Sequence, residues 1–185
     1  MERMESTRNR RATGESRMLK RLFYGGPSMG VLHEEYAKRG RIDERAPVKS
    51  SGEIRIGAPV ERVWELLTDL RGWEGWAPGV RDVRLDTAVA VDASFSWSIG
   101  RTRIKSVIAI VKPGRELTWT GAALWTKAVD RHVLVPTEDG ATRLYVEESL
   151  AGALVPLFFG SARLEVQHRR WLAALKAVAE GGAAR

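Results

Sequence analysis

Asp130, His132 and Glu148 carry the side chains of this chain best suited to chemistry. They alternate along two apolar stretches that read as a hairpin, with a three-residue loop at Glu138-Asp139-Gly140 and Gly140 left-handed. That loop sets Leu134 opposite Leu144, His132 opposite Val146 and Asp130 opposite Glu148. A slip by one residue would bury Arg131 and Arg143 instead. In the preferred register Arg131 meets Glu147 on the other face as an exposed ion pair of little energetic weight. His168 approaches the same space from a C-terminal helix. A carboxylate beside an imidazole in apolar surroundings can shift both groups toward acid–base work, for instance enolisation and aldol-type ring closure. The same groups could equally form a buried polar pair that orients ligand hydroxyls. His132 and Glu148 are the catalytic candidates, and both readings stay open here.

Other patterns carry less. Gly26-Pro27-Ser28-Met29-Gly30 fits the G-x-S-x-G nucleophile pattern, but that mechanism needs a strand before it and a large sheet supplying Asp and His. Here it sits in a polar leader. The three histidines, one of them His33 in that leader, show no metal-ligand spacing, so neither a metal nor any other cofactor is expected. There is no cysteine, which excludes disulfides and thiolate chemistry.

These residues need a scaffold. The chain has 185 residues and 44% apolar content, enough for one domain with a sizeable core. Seven tryptophans are many for this length, and each pairs a large apolar surface with one N–H that wants a partner. No stretch approaches the roughly 18 apolar residues of a membrane helix. The N-terminus lacks the apolar stretch of a signal peptide, and Arg10-Arg11 is followed by polar residues, so a cytoplasmic location is expected. The net charge is +7, and residues 1–21 contribute seven basic against three acidic residues. That stretch suggests weak contact with a membrane surface or polyanion, or simply a solvated leader. Met18 and Met29 offer downstream starts.

The pattern changes near residue 47. Residues 1–46 form a basic, flexible extension with apolar clusters at Leu19, Leu22, Phe23 and Tyr24 and at Val31, Leu32 and Tyr36, enough for one or two weak helices. Residues 47–185 are expected to form the folded domain, the one in which a ligand would be bound. Val48 to Ile56 alternates as a strand. Ala58-Pro59 opens a helix whose face is Val60, Val63, Trp64 and Leu67. Trp73 and Trp76 follow in a short helix or loop. Six strands then alternate from Val80 to Leu150, with turns at Gly100-Arg101, Pro113-Gly114 and Asp139-Gly140. A long helix from about Val155 to Glu180 closes the chain, with Leu157, Leu164, His168, Leu172 and Leu175 as its stripe and Trp171 beside it. The fold class is α+β: a curved antiparallel sheet clasping one long helix.

Hairpin register sorts the inner face. A turn at Gly100-Arg101 pairs Trp97 with Ile104 and Phe95 with Ser106. A turn at Pro113-Gly114 pairs Ile110 with Leu117, Ile108 with Trp119 and Ser106 with Gly121. Phe95, Trp97, Ile104, Ile108, Ile110, Leu117 and Trp119 should thus share one buried face. Of these, Phe95, Trp97, Ile104, Ile108 and Trp119, with Trp76, Asp130, His132, Leu144, Val146, Glu148, Leu164 and His168, make the expected ligand cavity, with Trp97 and Trp119 projecting into a roomy apolar hollow.

The ordered set of segments resembles the START/Bet v 1-like (SRPBCC) superfamily, in particular its polyketide cyclase/dehydrase and lipid-transport branch. The matching pieces are Ala58-Pro59-Val60-Glu61-Arg62-Val63-Trp64, then Thr68-Asp69-Leu70 with Trp73, Trp76 and Pro78-Gly79-Val80. Lys112-Pro113-Gly114-Arg115-Glu116-Leu117-Thr118-Trp119 follows, then His132, Asp139-Gly140-Ala141-Thr142, Glu147-Glu148-Ser149 and Gly152. The likeness spans residues 48 to about 180. It implies a helix-grip fold with a seven-stranded sheet around the C-terminal helix, and binding of a lipid, sterol, polyketide or other hydrophobic molecule. It carries no universal catalytic residue to this chain.

Three functions follow as expectations. The first is binding, and potentially transport, of a hydrophobic small molecule. The second is a cofactor-independent cyclase or dehydratase with His132 as acid/base. The third is an interaction protein acting through residues 1–46. Under the first two, removing residues 1–46 should leave ligand binding intact.

Overall fold

The computed structural model describes residues 21–181. Seven strands form one antiparallel sheet in the order β1-β7-β6-β5-β4-β3-β2. They are β1 (Val48–Ile56), β2 (Val80–Leu85), β3 (Ser94–Ile99), β4 (Thr102–Lys112), β5 (Glu116–Ala123), β6 (Thr126–Pro136) and β7 (Thr142–Ala151). The helices are α1 (Met29–Val31), α2 (Val60–Thr68), α3 (Val155–Phe158) and α4 (Ser161–Ala179). A 3-10 turn at Arg71–Gly75 follows α2. This is the expected helix-grip arrangement of a curved sheet around a long terminal helix.

The inner face holds the core. Val63 and Leu67 of α2 are buried, and Ile56, Phe95, Ile108, Leu117, Trp119, Leu144 and Val146 meet Leu172 and Leu175 of α4. Period-2 alternation on the strands and a one-sided stripe on α4 leave little other way to bury these side chains.

The hairpins at Gly100 and Gly140 take the expected registers, including Asp130 opposite Glu148 and His132 opposite Val146. The β4–β5 hairpin departs from expectation. Ile108 faces Trp119, but a bulge at Ala109 shifts the pairing, so Ile110 meets Thr118 and Val111 meets Leu117. Ile110 therefore lies on the outer face, and Val111 takes the inner place assigned to it. A bulge adds one residue to a strand and reverses the alternation beyond it. Turn chemistry gives no sign of this.

The terminal helix is also interrupted. Phe159 is extended and Gly160 caps a new helix, so α3 and α4 are separate pieces. Leu157 lies on α3, is 63% exposed and does not belong to the α4 stripe. Leu164, His168, Leu172 and Leu175 do.

Residues 21–46 lie against the sheet rather than hanging free of it. α1 runs into a π turn at Leu32–Tyr36 and a 3-10 turn at Ala37–Arg39. Leu32 and Ala37 pack on Ala109 and Val129 of the outer face. His33 bonds Thr120 Oγ1 through Nδ1 at 3.2 Å and Asp92 Oδ1 through Nε2 at 2.8 Å. The Arg131–Glu147 pair, expected in open solvent, lies beneath this segment: Arg131 also donates to the buried Glu116 at 2.8 Å. A Cβ on Gly40 would come within 3.1 Å of Glu116 Oε1, and Gly40 sits at φ 63, so glycine suits both the space and the backbone. Burial works to raise the Glu116 pKa, but Arg131 and Lys112 outweigh it and hold the carboxyl below its usual range. Leu19 and the basic stretch up to residue 20 lie outside the described residues.

Candidate functional site

Ser28 of the G-x-S-x-G sequence accepts a hydrogen bond from Val31 N at 3.2 Å and caps α1. It is preceded by an irregular segment rather than a strand. The His33, Glu34 and Asp92 ligand atoms lie within 4.8 Å of one another. The Lys38 ammonium bonds both carboxylates there and supplies the compensating positive charge.

The inner face has two halves. One is aromatic. Trp73, on the 3-10 turn, donates its indole N–H to Leu67 O at 3.1 Å. Its ring lies 5.5 Å from Trp119, 6.0 Å from Trp97, 6.1 Å from Trp171 and 6.2 Å from Phe95. Trp76 meets Trp171 at 5.0 Å. Trp97 donates to Ser106 Oγ at 3.1 Å and is partly buried, and Ile104, its cross-strand partner, is half-buried. Trp97 and Trp119 do face inward, but Trp73 and Trp171 occupy the space beside them. An open hollow at that point is not what the structure has. The anchored Trp73 indole fills it with edge-to-face ring contacts.

The other half is polar. Asp130 and His132 project from β6, Glu148 from β7, Ser50 from β1 and His168 from α4. Ser50 is the cross-strand partner of Glu148, and Glu148 of Asp130. His168 donates from Nε2 to Glu148 Oε2 at 2.9 Å. His132 Nδ1 lies 3.4 Å from Asp130 Oδ1 without the alignment of a hydrogen bond. The His132 ring stacks on Trp119 at 4.8 Å and lies 5.0 Å from Trp171, joining the two halves. Leu144 and Val146 flank the site on β7. Leu164 lies in the first turn of α4 and packs with Val48, Val155 and Phe159, in a cluster separate from the one that holds the tryptophans.

Burial sets the electrostatics. Burial first, and the nearby Glu148 carboxylate second, push the Asp130 pKa well above the carboxylate range. Burial first, and His168 second, lower the His132 pKa to about 3. At neutral pH the site therefore offers a neutral imidazole and a hydroxyl, beside a carboxyl group whose protonated form is favoured by its surroundings. Four buried side-chain atoms lack a partner among the described residues: Ser50 Oγ, Asp130 Oδ1, His132 Nδ1 and His168 Nδ1. All four belong to this cluster. Buried polar atoms normally find partners, so a group of orphans in one place is the feature of this interior that calls for an added donor or acceptor.

Sequence reasoning placed Asp130, His132, Glu148 and His168 together and missed Ser50 and Trp73. Ser50 has the strand parity of Ile54 and Ile56, so its inward direction was available. Trp73 had no such signal, because a 3-10 turn imposes no long periodicity.

The seven-stranded helix-grip domain is that of the START-like SRPBCC superfamily. Within it, the chain belongs to the family described as polyketide cyclase / dehydrase and lipid transport, which matches residues 47–180. Solved structures show the same fold. A hypothetical protein from Helicobacter pylori aligns with TM-score 0.66 and 16% identity over 74% of this chain and 90% of that one. The Zhui aromatase/cyclase from Streptomyces sp. R1128 gives 0.62 and 16% over 71% and 93%. A START superfamily protein from Mycobacterium smegmatis gives 0.60 and 16% over 72% and 97%. No curated protein matches the chain.

Proposed function

We propose that the protein binds a hydrophobic small molecule between the sheet and α4, with the ligand's polar end at Ser50, Asp130, His132, Glu148 and His168. The observation that carries this is the concentration of all four unpartnered buried polar atoms in that one cluster, bordered by Trp119 and Trp171. Apolar contact would supply most of the affinity, and the orphaned donors and acceptors would select a ligand carrying hydroxyl or carbonyl oxygens. The family description, which includes lipid transport, supports the ligand class.

A second reading keeps the same polar cluster and makes it the centre of a cyclase-type enzyme, supported by the fold shared with an aromatase/cyclase. Asp130 would be the acid in that case. His132, with its pKa near 3, would be a neutral but weak base.

Native mass spectrometry of the protein purified from its own host tests the binding reading. The expected result is an adduct that Ser50→Val with Glu148→Leu removes. An adduct-free protein, or one whose adduct survives the double change, overturns it. Turnover of the bound compound that His132→Ala abolishes would favour the enzyme over the carrier.

A further inference from the structure

One end of the molecule shows large apolar side chains to water. Leu124 and Trp125 form the tip of the β5–β6 hairpin and are 82% and 55% exposed. Leu157 and Phe158 on α3 and Phe23 in the N-terminal segment are 63%, 67% and 61% exposed. The backbone brings the five together. Gly152 N donates to Tyr24 O at 3.1 Å, and Leu154 N donates to Leu22 O at 2.7 Å. A Cβ on Gly152 would lie 2.9 Å from Trp125 O. Five exposed large apolar residues from three separate segments therefore surround Gly152.

Fold stability does not explain them. Leu124 has φ 53, a left-handed conformation that disfavours a bulky side chain and suits asparagine or glycine. A leucine held there in solvent serves neither the backbone nor the core.

Basic side chains stand at this end, while the Asp43 carboxylate, bonded to Tyr24 at 2.9 Å, is buried. The exposed Arg21 donates to Pro47 O, Lys127 donates to Pro27 O, and the Arg163 guanidinium lies over the Phe159 ring. Each engages a carbonyl or a ring rather than a carboxylate. Residues 1–21 carry seven basic against three acidic residues, and this stretch joins the fold at Arg21, next to Leu22 and its bond to Leu154. A protruding tryptophan with aliphatic and phenyl neighbours, ringed by cations, fits the boundary between acyl chains and anionic headgroups.

We propose that this end docks on an anionic lipid bilayer, inserting Phe23, Leu124, Trp125, Leu157 and Phe158 among the headgroups. The Lys127–Ala151 pair at this end is three ladder steps from the Asp130–Glu148 pair, so the docking face and the polar cluster are about 10 Å apart along β6. Docking does not require the ligand reading to hold.

Vesicle co-sedimentation of the full chain tests it. Phosphatidylcholine vesicles with about 30 mol% phosphatidylserine should bind the protein, and raising the salt should release it. Leu124→Asn with Trp125→Ser should lower partitioning at least about tenfold. Circular dichroism melts should show the variant as stable as the parent or more so, since asparagine suits the left-handed position. No binding to the anionic vesicles, or equal binding by the variant, overturns the proposal. A dimer in sedimentation velocity that the same variant dissolves also overturns it, because a second copy would then cover the patch.

Discussion

His132 lies flat on Trp119, with ring centroids 4.8 Å apart and planes inclined by 16°. The stack buries the imidazole and lowers its pKa from 6.5 to about 3. A folded-state value below the unfolded one stabilises the protein above pH 6.5, and that stabilisation is lost as the pH falls toward 3. His132→Phe keeps the stack and removes the titration. Urea unfolding between pH 7 and pH 4 should show the parent losing on the order of a few kcal/mol more than the variant. Parallel profiles would mean that His132 is not held neutral.

Asp130 titrates in the opposite sense. Its folded pKa is raised by burial and by Glu148. The protonated acid is favoured in the fold, so its stabilisation is complete below pH 3.8 and fades as the pH rises through the raised value. Asp130→Asn imitates the protonated form at every pH. The variant should therefore gain on the parent as the pH rises above 3.8, seen as a widening gap in urea midpoints. A constant gap would show that Asp130 ionises freely.

Trp73 meets four other rings and is 1% exposed. Trp73→Ala should cost about 3–5 kcal/mol and flatten the near-ultraviolet circular dichroism that fixed indoles produce. The unfolding midpoint in guanidinium measures the first effect. A loss under about 1 kcal/mol would mean that the rings repack around the gap.

The polar cluster was legible because strand alternation and one glycine loop suffice to set the β6–β7 register, and register fixes direction. The same logic placed Phe95, Trp97 and Trp119 inward. It failed at Ala109, where a bulge reverses the alternation, and at Phe159-Gly160, where the backbone leaves the helix inside an apolar run. It also left the aromatic half looking empty. Nothing in a local pattern says that Trp73, from a 3-10 turn, swings its ring under the sheet. The outer face was missed for a related reason. Glu116, Thr118 and Thr120 are polar and alternate as a solvated face would, yet all three are buried.

What buries them is the segment 29–43, and this alters the outcome expected for truncation. Leu32 and Ala37 are 1% and 0% exposed against Ala109 and Val129. Burying one leucine contributes about 1.5–3 kcal/mol. His33 adds bonds to Thr120 and Asp92, and Asp43 N donates to Ser149 Oγ at 3.1 Å. Removing residues 1–46 would strip these contacts and leave Ala109 and Val129 facing water. Removing residues 1–20 spares every one of them. The shorter truncation should melt within about 1–2 °C of the full chain. The longer one should lose at least about 2–4 kcal/mol and become prone to association through the uncovered strands, with ligand binding lost through instability rather than through the site. Thermal melts and sedimentation velocity of the two truncations measure this directly. If both melt with the full chain, the segment is a passenger on the sheet, and the burial of Leu32 contributes nothing net to the fold.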